Sequence, residues 1–201
     1  MYKRFFKRLT DIVISLGVLL IASPFIVPIL IFVYLKTKEN PFFLQKRPGL
    51  NERIFTLIKM RTMANLYDSE GKLLPDKDRI TRWGKFLRET SMDEIPQLIN
   101  VLTGDMSLIG PRPLLPEYLP LYSDFHRQRH RVRPGITGWA QINGRNSISW
   151  QQKFDLDVWY VEHVSFKTDM QIILQTLKKV FTKADINLSA EVTMPWFDGT
   201  N

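Results

Sequence analysis

The sequence predicts an α+β protein: an N-terminal re-entrant membrane helix followed by a mainly helical cytoplasmic domain with short strands and interfacial amphipathic helices. Three observations carry this expectation. The run from Ile12 to Leu35 holds no charged residue. Two short β-rich runs, Phe42 to Leu44 and Ile54 to Ile58, flank a turn at Arg47-Pro48-Gly49. Beyond Arg79, apolar residues recur at helical spacing. A chain of 201 residues that is 44% hydrophobic and 12% aromatic is long and apolar enough for one domain with its own core.

The apolar run comes first. Lys3, Arg4, Lys7 and Arg8 precede it, and Lys36 and Lys38 follow. It exceeds the roughly 20 apolar residues that cross a bilayer as a helix. Its two flanks are comparably basic, so the positive-inside rule gives no orientation, and Ser23-Pro24 and Pro28 interrupt its middle. The simplest geometry is a helix that enters, bends at the Ser23-Pro24 membrane break and returns to the same cytoplasmic face. The Ser23 hydroxyl is then available for the carbonyl that Pro24 leaves unpaired. A kinked transmembrane anchor is the alternative. A cleaved signal peptide fits poorly, because the run is too long and no small-residue cleavage site follows it.

After the two strands, residues 65–79 are polar, contain Gly71 and Pro75, and read as a surface loop. Helices are expected from about Arg79 to Glu89, Met92 to Leu102 and Pro116 to Arg129. A last helix is marked by Phe166, Met170, Ile173, Leu174, Leu177, Val180 and Phe181, with Lys167, Lys178, Lys179 and Lys183 between them. Its apolar face either packs on the core or lies on lipid.

Composition bounds the chemistry. Lys and Arg total 28 against 20 acidic residues, for a charge of +8, which favours an anionic partner without choosing one. With no Cys there is no disulfide, thiolate nucleophile, Cys-based zinc site or iron–sulfur cluster. Three His leave little room for a His-rich centre, so any metal is expected to be a hard ion held by carboxylate and phosphate oxygens. A P-loop, a dinucleotide fingerprint, a zinc-protease motif and a nucleophile elbow are all missing.

Charge and rigid backbone coincide at a few places. In Ser91-Met92-Asp93-Glu94-Ile95-Pro96, Ser91 and Glu94 have capping-box spacing and two acids open a helix, which is an ordinary structural pattern. Leu108-Ile109-Gly110-Pro111-Arg112-Pro113 holds one Arg between two prolines, and a stiffly held guanidinium suits phosphate. From Arg133 to Arg145 the chain reads RPGITGWAQINGR, with two Gly turns that bring backbone amides and Arg145 to one surface. His126 and His130 have metal-site spacing, yet Arg127, Arg129, Arg131 and Arg133 surround them. An anion-facing or membrane-facing basic patch is the better reading, and a solvated helix face is the alternative. Asp155-Leu156-Asp157 matches a metal-binding pattern of nucleotide-sugar glycosyltransferases that also arises by chance. Lys59 and Arg61 either add charge to a phosphate site or flank a strand.

Taken in order, KRLTDI, the membrane segment with Ser23-Pro24, QKRPGLNERIF, LIKMRTM, TSMDEIPQLINVLTGDMSLIGPRP and VRPGITGWAQINGRN resemble the bacterial sugar transferases known as monotopic phosphoglycosyl transferases. The resemblance runs from Lys7 to about Lys183, and the short chain is similar to the small PglC-type enzymes of protein N-glycosylation. It implies three segments: a basic N-terminus and membrane helix-break-helix over 1–36, a catalytic domain over 37–185, and a C-terminal tail over 186–201. It also implies transfer of a sugar phosphate from a UDP-sugar to undecaprenyl phosphate with release of UMP. An N-acetylated amino sugar such as di-N-acetylbacillosamine is the expected donor sugar. By the same resemblance Asp93 is the nucleophile of a covalent phosphosugar intermediate and a ligand of the required Mg²⁺, and Glu94 is its partner. Lys59, Arg112, Arg145 and Asp157 bind substrate or phosphate. The implied setting is monotopic, at the cytoplasmic face of a bacterial inner membrane, with phospholipid and downstream glycosyltransferases as partners and no nucleic-acid role. The physical chemistry agrees. A carboxylate attacking an anionic diphosphate must have the phosphate charge neutralised, which is work for fixed cations and a metal.

Two other classes are open to the sequence. A GT-A-like membrane-associated glycosyltransferase would use Asp155 and Asp157 for its metal and release UDP. A non-enzymatic adaptor would bind nucleic acid or acidic lipid through the basic patch.

Overall fold

The computed structural model describes residues 2–144, 148–182 and 195–200. Helix α1 spans Lys7–Thr37 and follows a π-helical turn, Tyr2–Phe6. Contrary to the expected helix-break-helix, it runs through Ser23, Pro24 and Pro28 without interruption. The reason is local. Pro24 lacks the N–H that would reach the Leu20 carbonyl, and Ser23 Oγ donates to that same oxygen at 2.9 Å, so the orphaned acceptor is satisfied.

Strands β1 (Phe42–Pro48) and β2 (Ile54–Met60) pair antiparallel, longer than the expected runs and in a register that sets Phe43 opposite Lys59 and Arg47 opposite Phe55. With side chains alternating along each strand, Phe43, Gln45, Arg47, Phe55, Leu57 and Lys59 share one face. The polar loop then leads to α2 (Asp76–Arg79) and α3 (Arg82–Glu89), the latter capped by Thr81, whose hydroxyl accepts from Gly84 N.

The helix expected over Met92 to Leu102 is instead a 3-10 turn, Met92–Glu94, and α4 (Gln97–Thr103), with Pro96 at the junction. Strand β3 (Ser107–Ile109) pairs in parallel with β4 (Gly135–Thr137), a contact that hydrophobic periodicity did not signal. Between them the expected helix over Pro116 to Arg129 divides into a 3-10 segment, Pro116–Leu121, then α5 (Asp124–Arg127) and a second 3-10 turn, Gln128–Arg131. Helices α6 (Trp139–Ile142), α7 (Trp150–Glu162) and α8 (Phe166–Thr182) complete the described chain. Helix α7, unforeseen, opens on a complete capping box between Ser149 and Gln152.

The core forms where these elements meet. Phe55 and Leu57 pack with Val101 and Met106, and Ile109, Ile142, Tyr160, Val164 and Ile172 form a second cluster. Helix α8 has both of the faces that the sequence left open. Ile172 is fully buried, while Phe166, Met170, Leu174 and Leu177 form an exposed apolar stripe. Its buried Asp169 accepts from Tyr2, Lys7 and Tyr160 at 2.7–2.8 Å, tying α8 to the start of the chain.

Helix α1 touches this same domain near both of its ends. Arg8 donates to the carbonyls of Val101 and Leu102 at the end of α4, and Asp11 accepts from Leu108 N. Farther along, Ile26, Ile29 and Leu30 pack with Met60, Leu87 and Trp83, and Phe32 meets the Trp83 ring edge-on. Between them Leu16, Val18, Leu20, Ile21 and Phe25 are exposed.

The basic segment around His126 and His130 is mostly tied down internally, with Arg131 the exposed exception. Arg127 pairs with Glu52, buried Arg129 with Asp157, and Arg133 donates to Gly104 O. Both histidines are buried. Burial, with Arg129 alongside, pushes His130 down to about 4, so the ring is neutral at pH 7.

Candidate active site

The site is organised by the turn between α3 and α4. Ser91 adopts the left-handed conformation (φ 55) and makes no capping hydrogen bond, so the capping box suggested by Ser91 and Glu94 does not form. That conformation costs a non-glycine residue roughly 1–2 kcal/mol, a strain of the kind found where a functional geometry is imposed. Glu94 turns to two cations instead. Its Oε1 accepts from Lys59 Nζ and from Arg112 Nη2, each at 2.7 Å. Charge-assisted bonds of this length outweigh a single bond to a neutral backbone N–H.

The two acids are thereby set in different states. Burial works against the Glu94 charge, but Arg112 and Lys59 override it and hold the carboxyl well below the usual carboxylate range. Asp93, only 8% exposed, makes no hydrogen bond or ion pair to any described residue. Burial pushes its carboxyl up, with Glu94 adding to the rise and Lys59, Arg88 and Arg112 opposing it. One carboxylate is locked by two cations, and the other has no partner among the described residues.

Arg112 is positioned through its backbone. Gly135 N donates to Pro111 O at 2.9 Å and Arg129 Nη2 donates to Arg112 O at 2.8 Å. The close approach of β3 and β4 depends on glycine: a Cβ on Gly110 would lie 2.3 Å from Arg133 O, and one on Gly135 would lie 2.1 Å from Gly110 N. Arg129 is in turn fixed by Asp157 Oδ2, which accepts from Nε at 3.1 Å and Nη2 at 2.7 Å. A continuous chain of contacts therefore runs from Asp157 through Arg129 and the Arg112 carbonyl to the Arg112 guanidinium and Glu94.

Lys59, Asp93, Glu94, Arg112 and Asp157 all line one cavity of about 690 Å³, within the usual size of small-molecule sites. The carboxylate of Asp157 is nonetheless committed to Arg129. Asp155 points elsewhere, its Oδ1 3.2 Å from His126 Nε2. Two positions apart on α7, the two acids lie about 200° apart around the helix and do not converge on a metal. Arg145 lies outside the described residues. Among the described residues no group of three or more His, Cys, Asp or Glu could hold a metal unaided. The donor set fits Mg²⁺ as an ion that would take Asp93 as its protein carboxylate and its other ligands from phosphate and water, a common arrangement for that ion.

Sequence reasoning did not single out Arg88 and Arg47 for the site. Arg88 donates to Thr62 Oγ1 at 2.9 Å, and its charge acts on Asp93. Arg47 lines the cavity from β1. Its advance signals were alternation with Gln45 and Phe43 and its place in QKRPGLNERIF.

An uncommitted buried carboxylate beside a doubly paired glutamate, in a cavity lined by cations, defines an enzyme site for an anionic substrate. The bacterial sugar transferase family matches residues 2–183, and the chain belongs to that family. It is 50% identical over 194 residues to the uncharacterized sugar transferase EpsL of Bacillus subtilis, covering 96% of each chain. It is 36% identical over 200 residues to an undecaprenyl-phosphate galactose phosphotransferase of Salmonella typhimurium, covering 90% of this chain and 41% of that protein. Identity is again 36%, over 192 residues, to a UDP-glucose:undecaprenyl-phosphate glucose-1-phosphate transferase of Escherichia coli, with coverage of 89% and 40%. The chain thus spans about two fifths of the length of these last two relatives.

Proposed function

We propose that this chain transfers a sugar 1-phosphate from a UDP-sugar to undecaprenyl phosphate through an aspartyl phosphosugar intermediate. The observation that carries the reading is Asp93, a buried carboxylate without a partner among the described residues, next to Glu94 held by Lys59 and Arg112. In the first step an Asp93 oxygen attacks the phosphorus that bears the sugar, and the bond to the nucleotide phosphate breaks, so UMP leaves with the electron pair. In the second, a phosphate oxygen of the lipid attacks the same phosphorus and the Asp93 carboxylate departs. One diphosphate bond is lost and one formed. Arg112 and Lys59 hold positive charge at the phosphate oxygens, where it stabilises the transferring group most. Mg²⁺, with Asp93 as its protein ligand, would supply further neutralisation of the diphosphate. Resemblance to the small PglC-type enzymes favours an N-acetylated amino sugar, whereas the names of two relatives specify galactose and glucose.

The same reading sets the protein at the cytoplasmic face of the inner membrane, with both ends of α1 on that side. Contacts of α1 with a single domain near both ends support this, because a spanning helix would carry its ends to opposite faces, about 30 Å apart. The exposed stripe of α8 supports an interfacial orientation.

The test is a panel of UDP-sugars with undecaprenyl phosphate, scored for UMP. Wild type should release UMP with at least one sugar and, given the UDP-sugar alone, gain the mass of a phosphosugar. Asp93→Asn should do neither while remaining folded. Release of UDP, or an Asp93→Asn variant that keeps a tenth of the rate, would refute the proposal.

A further inference from the structure

We infer that Arg47, together with Arg112, forms a second phosphate subsite in the cavity, separate from the position attacked by Asp93. The inference rests on the sugar-phosphate transfer reading and adds a residue to it.

Arg47 comes from β1, where alternation puts Phe43, Gln45 and Arg47 on the cavity wall. Its Nη2 donates to Gln45 Oε1 at 2.6 Å, its Nε is buried with no partner, and it forms no ion pair with any described residue. Other arginines and lysines of that wall are differently placed. Lys59 and Arg112 share Glu94, Arg61 pairs with Glu39, Arg79 with Asp76 and Arg129 with Asp157. Among the described residues the Arg47 side chain hydrogen-bonds only the neutral Gln45 amide, and its charged neighbours are the Arg112 guanidinium and, opposing it, Glu117. Burial and the Arg112 charge push it down to about 10, with Glu117 opposing. A largely buried guanidinium facing another cation is costly unless an anion completes the set, and a planar guanidinium is well shaped for phosphate.

Register separates this subsite from the dyad. Arg47 lies opposite Phe55 and Lys59 opposite Phe43, so the two cations sit at opposite ends of one sheet face, roughly 13 Å apart along the strands at the usual rise per residue. Both feel the charge of Arg112. Lys59 and Glu94 flank the attacked phosphorus, and Arg47 reaches a different phosphate. Two phosphates of the reaction have the required chemistry: the one that leaves with the nucleotide and the one carried by the lipid acceptor.

The experiment uses the full-length protein and the Arg47→Gln and Arg47→Met variants. Binding of uridine, UMP and UDP is measured for each, together with the KM for undecaprenyl phosphate. A nucleotide source weakens UDP and UMP by about tenfold and leaves uridine unchanged. A lipid source raises the acceptor KM by a similar factor and leaves nucleotide binding unchanged. Either result supports the subsite and says which phosphate it holds. In both cases Arg47→Met should keep or raise the melting temperature, since an uncompensated cation is removed. Unchanged UDP binding and acceptor KM overturn the inference, as does a parallel loss of uridine and UDP or a wild type with no preference for UDP over uridine. If no UDP-sugar is turned over by wild type while Arg47→Gln still weakens UDP selectively, the reaction reading fails and the subsite stands.

Discussion

Replacing Asp157 with Asn separates a positioning role from a ligand role at a predicted site residue whose carboxylate is already engaged by Arg129. The Arg129–Asp157 pair is almost wholly buried, with side chains 2% and 3% exposed. Removing the charge leaves the Arg129 guanidinium inside the protein, and breaking such a pair costs roughly 3–5 kcal/mol. Arg129 would keep its bonds to Tyr122 Oη at 3.2 Å and Arg112 O at 2.8 Å, and its stacking over Tyr122 and Phe154. These remaining partners favour the lower end, about 3 kcal/mol, which is a fall of roughly 6–12 °C in melting temperature for a chain of this size. Thermal unfolding followed by tryptophan fluorescence measures it. A companion variant, Arg129→Met with Asp157→Leu, should unfold within about 2 °C of wild type, because apolar replacement of a buried pair is often neutral. It should still lose most activity, because nothing then holds the Arg112 carbonyl. If Asp157→Asn leaves the melting temperature unchanged but weakens UDP-sugar binding, the carboxylate serves the substrate and the positioning account is wrong.

Three further predictions concern other links. His130 has a folded pKa of about 4, below its unfolded value near 6.5, so the unfolded state binds more protons between these values and stability should be lost as pH falls from about 6.5 to about 4, by about 3 kcal/mol. His130→Phe should flatten the melting-temperature profile from pH 7 to pH 4, and an unchanged slope would assign the acid sensitivity to other groups. Arg112→Lys should lose at least tenfold in kcat/KM, because the Pro-flanked guanidinium serves both Glu94 and the phosphate with geometry that an ammonium cannot copy; near-normal kinetics would reduce the segment to a turn. For topology, single cysteines at Lys3 and Lys38, introduced into a chain that has none, should both be protected from an impermeant maleimide in intact spheroplasts and react after lysis. Labelling of Lys3→Cys before lysis, with Lys38→Cys still protected, would show a spanning helix.

Several features were legible in the residues because their causes are local. The charge-free run, its basic flanks and the Ser23 hydroxyl waiting for the carbonyl released by Pro24 follow from composition and from the donor that proline lacks. The strands around Pro48-Gly49 and the helical spacing of α8 follow from side-chain period. Long ordered motifs named the family before any contact was known, and they included Asp93, Glu94, Lys59 and Arg112. Sequence did not show what each group would be doing, since partners far apart in the chain decide that. Glu94 left its own helix start for Lys59, 35 residues back, and Arg112, 18 ahead, because two charge-assisted bonds outweigh a cap. Asp157 and Arg129 found each other inside the protein, where a charge must be paired, and so two residues of surface-like composition became structural supports. Arg47 is the reverse case. Alternation along β1 put it on the cavity wall, but only the tertiary fold set Arg112 beside it and left it without an ion pair among the described residues, since the sequence does not fix the distance between charges on β1 and on the loop after β3.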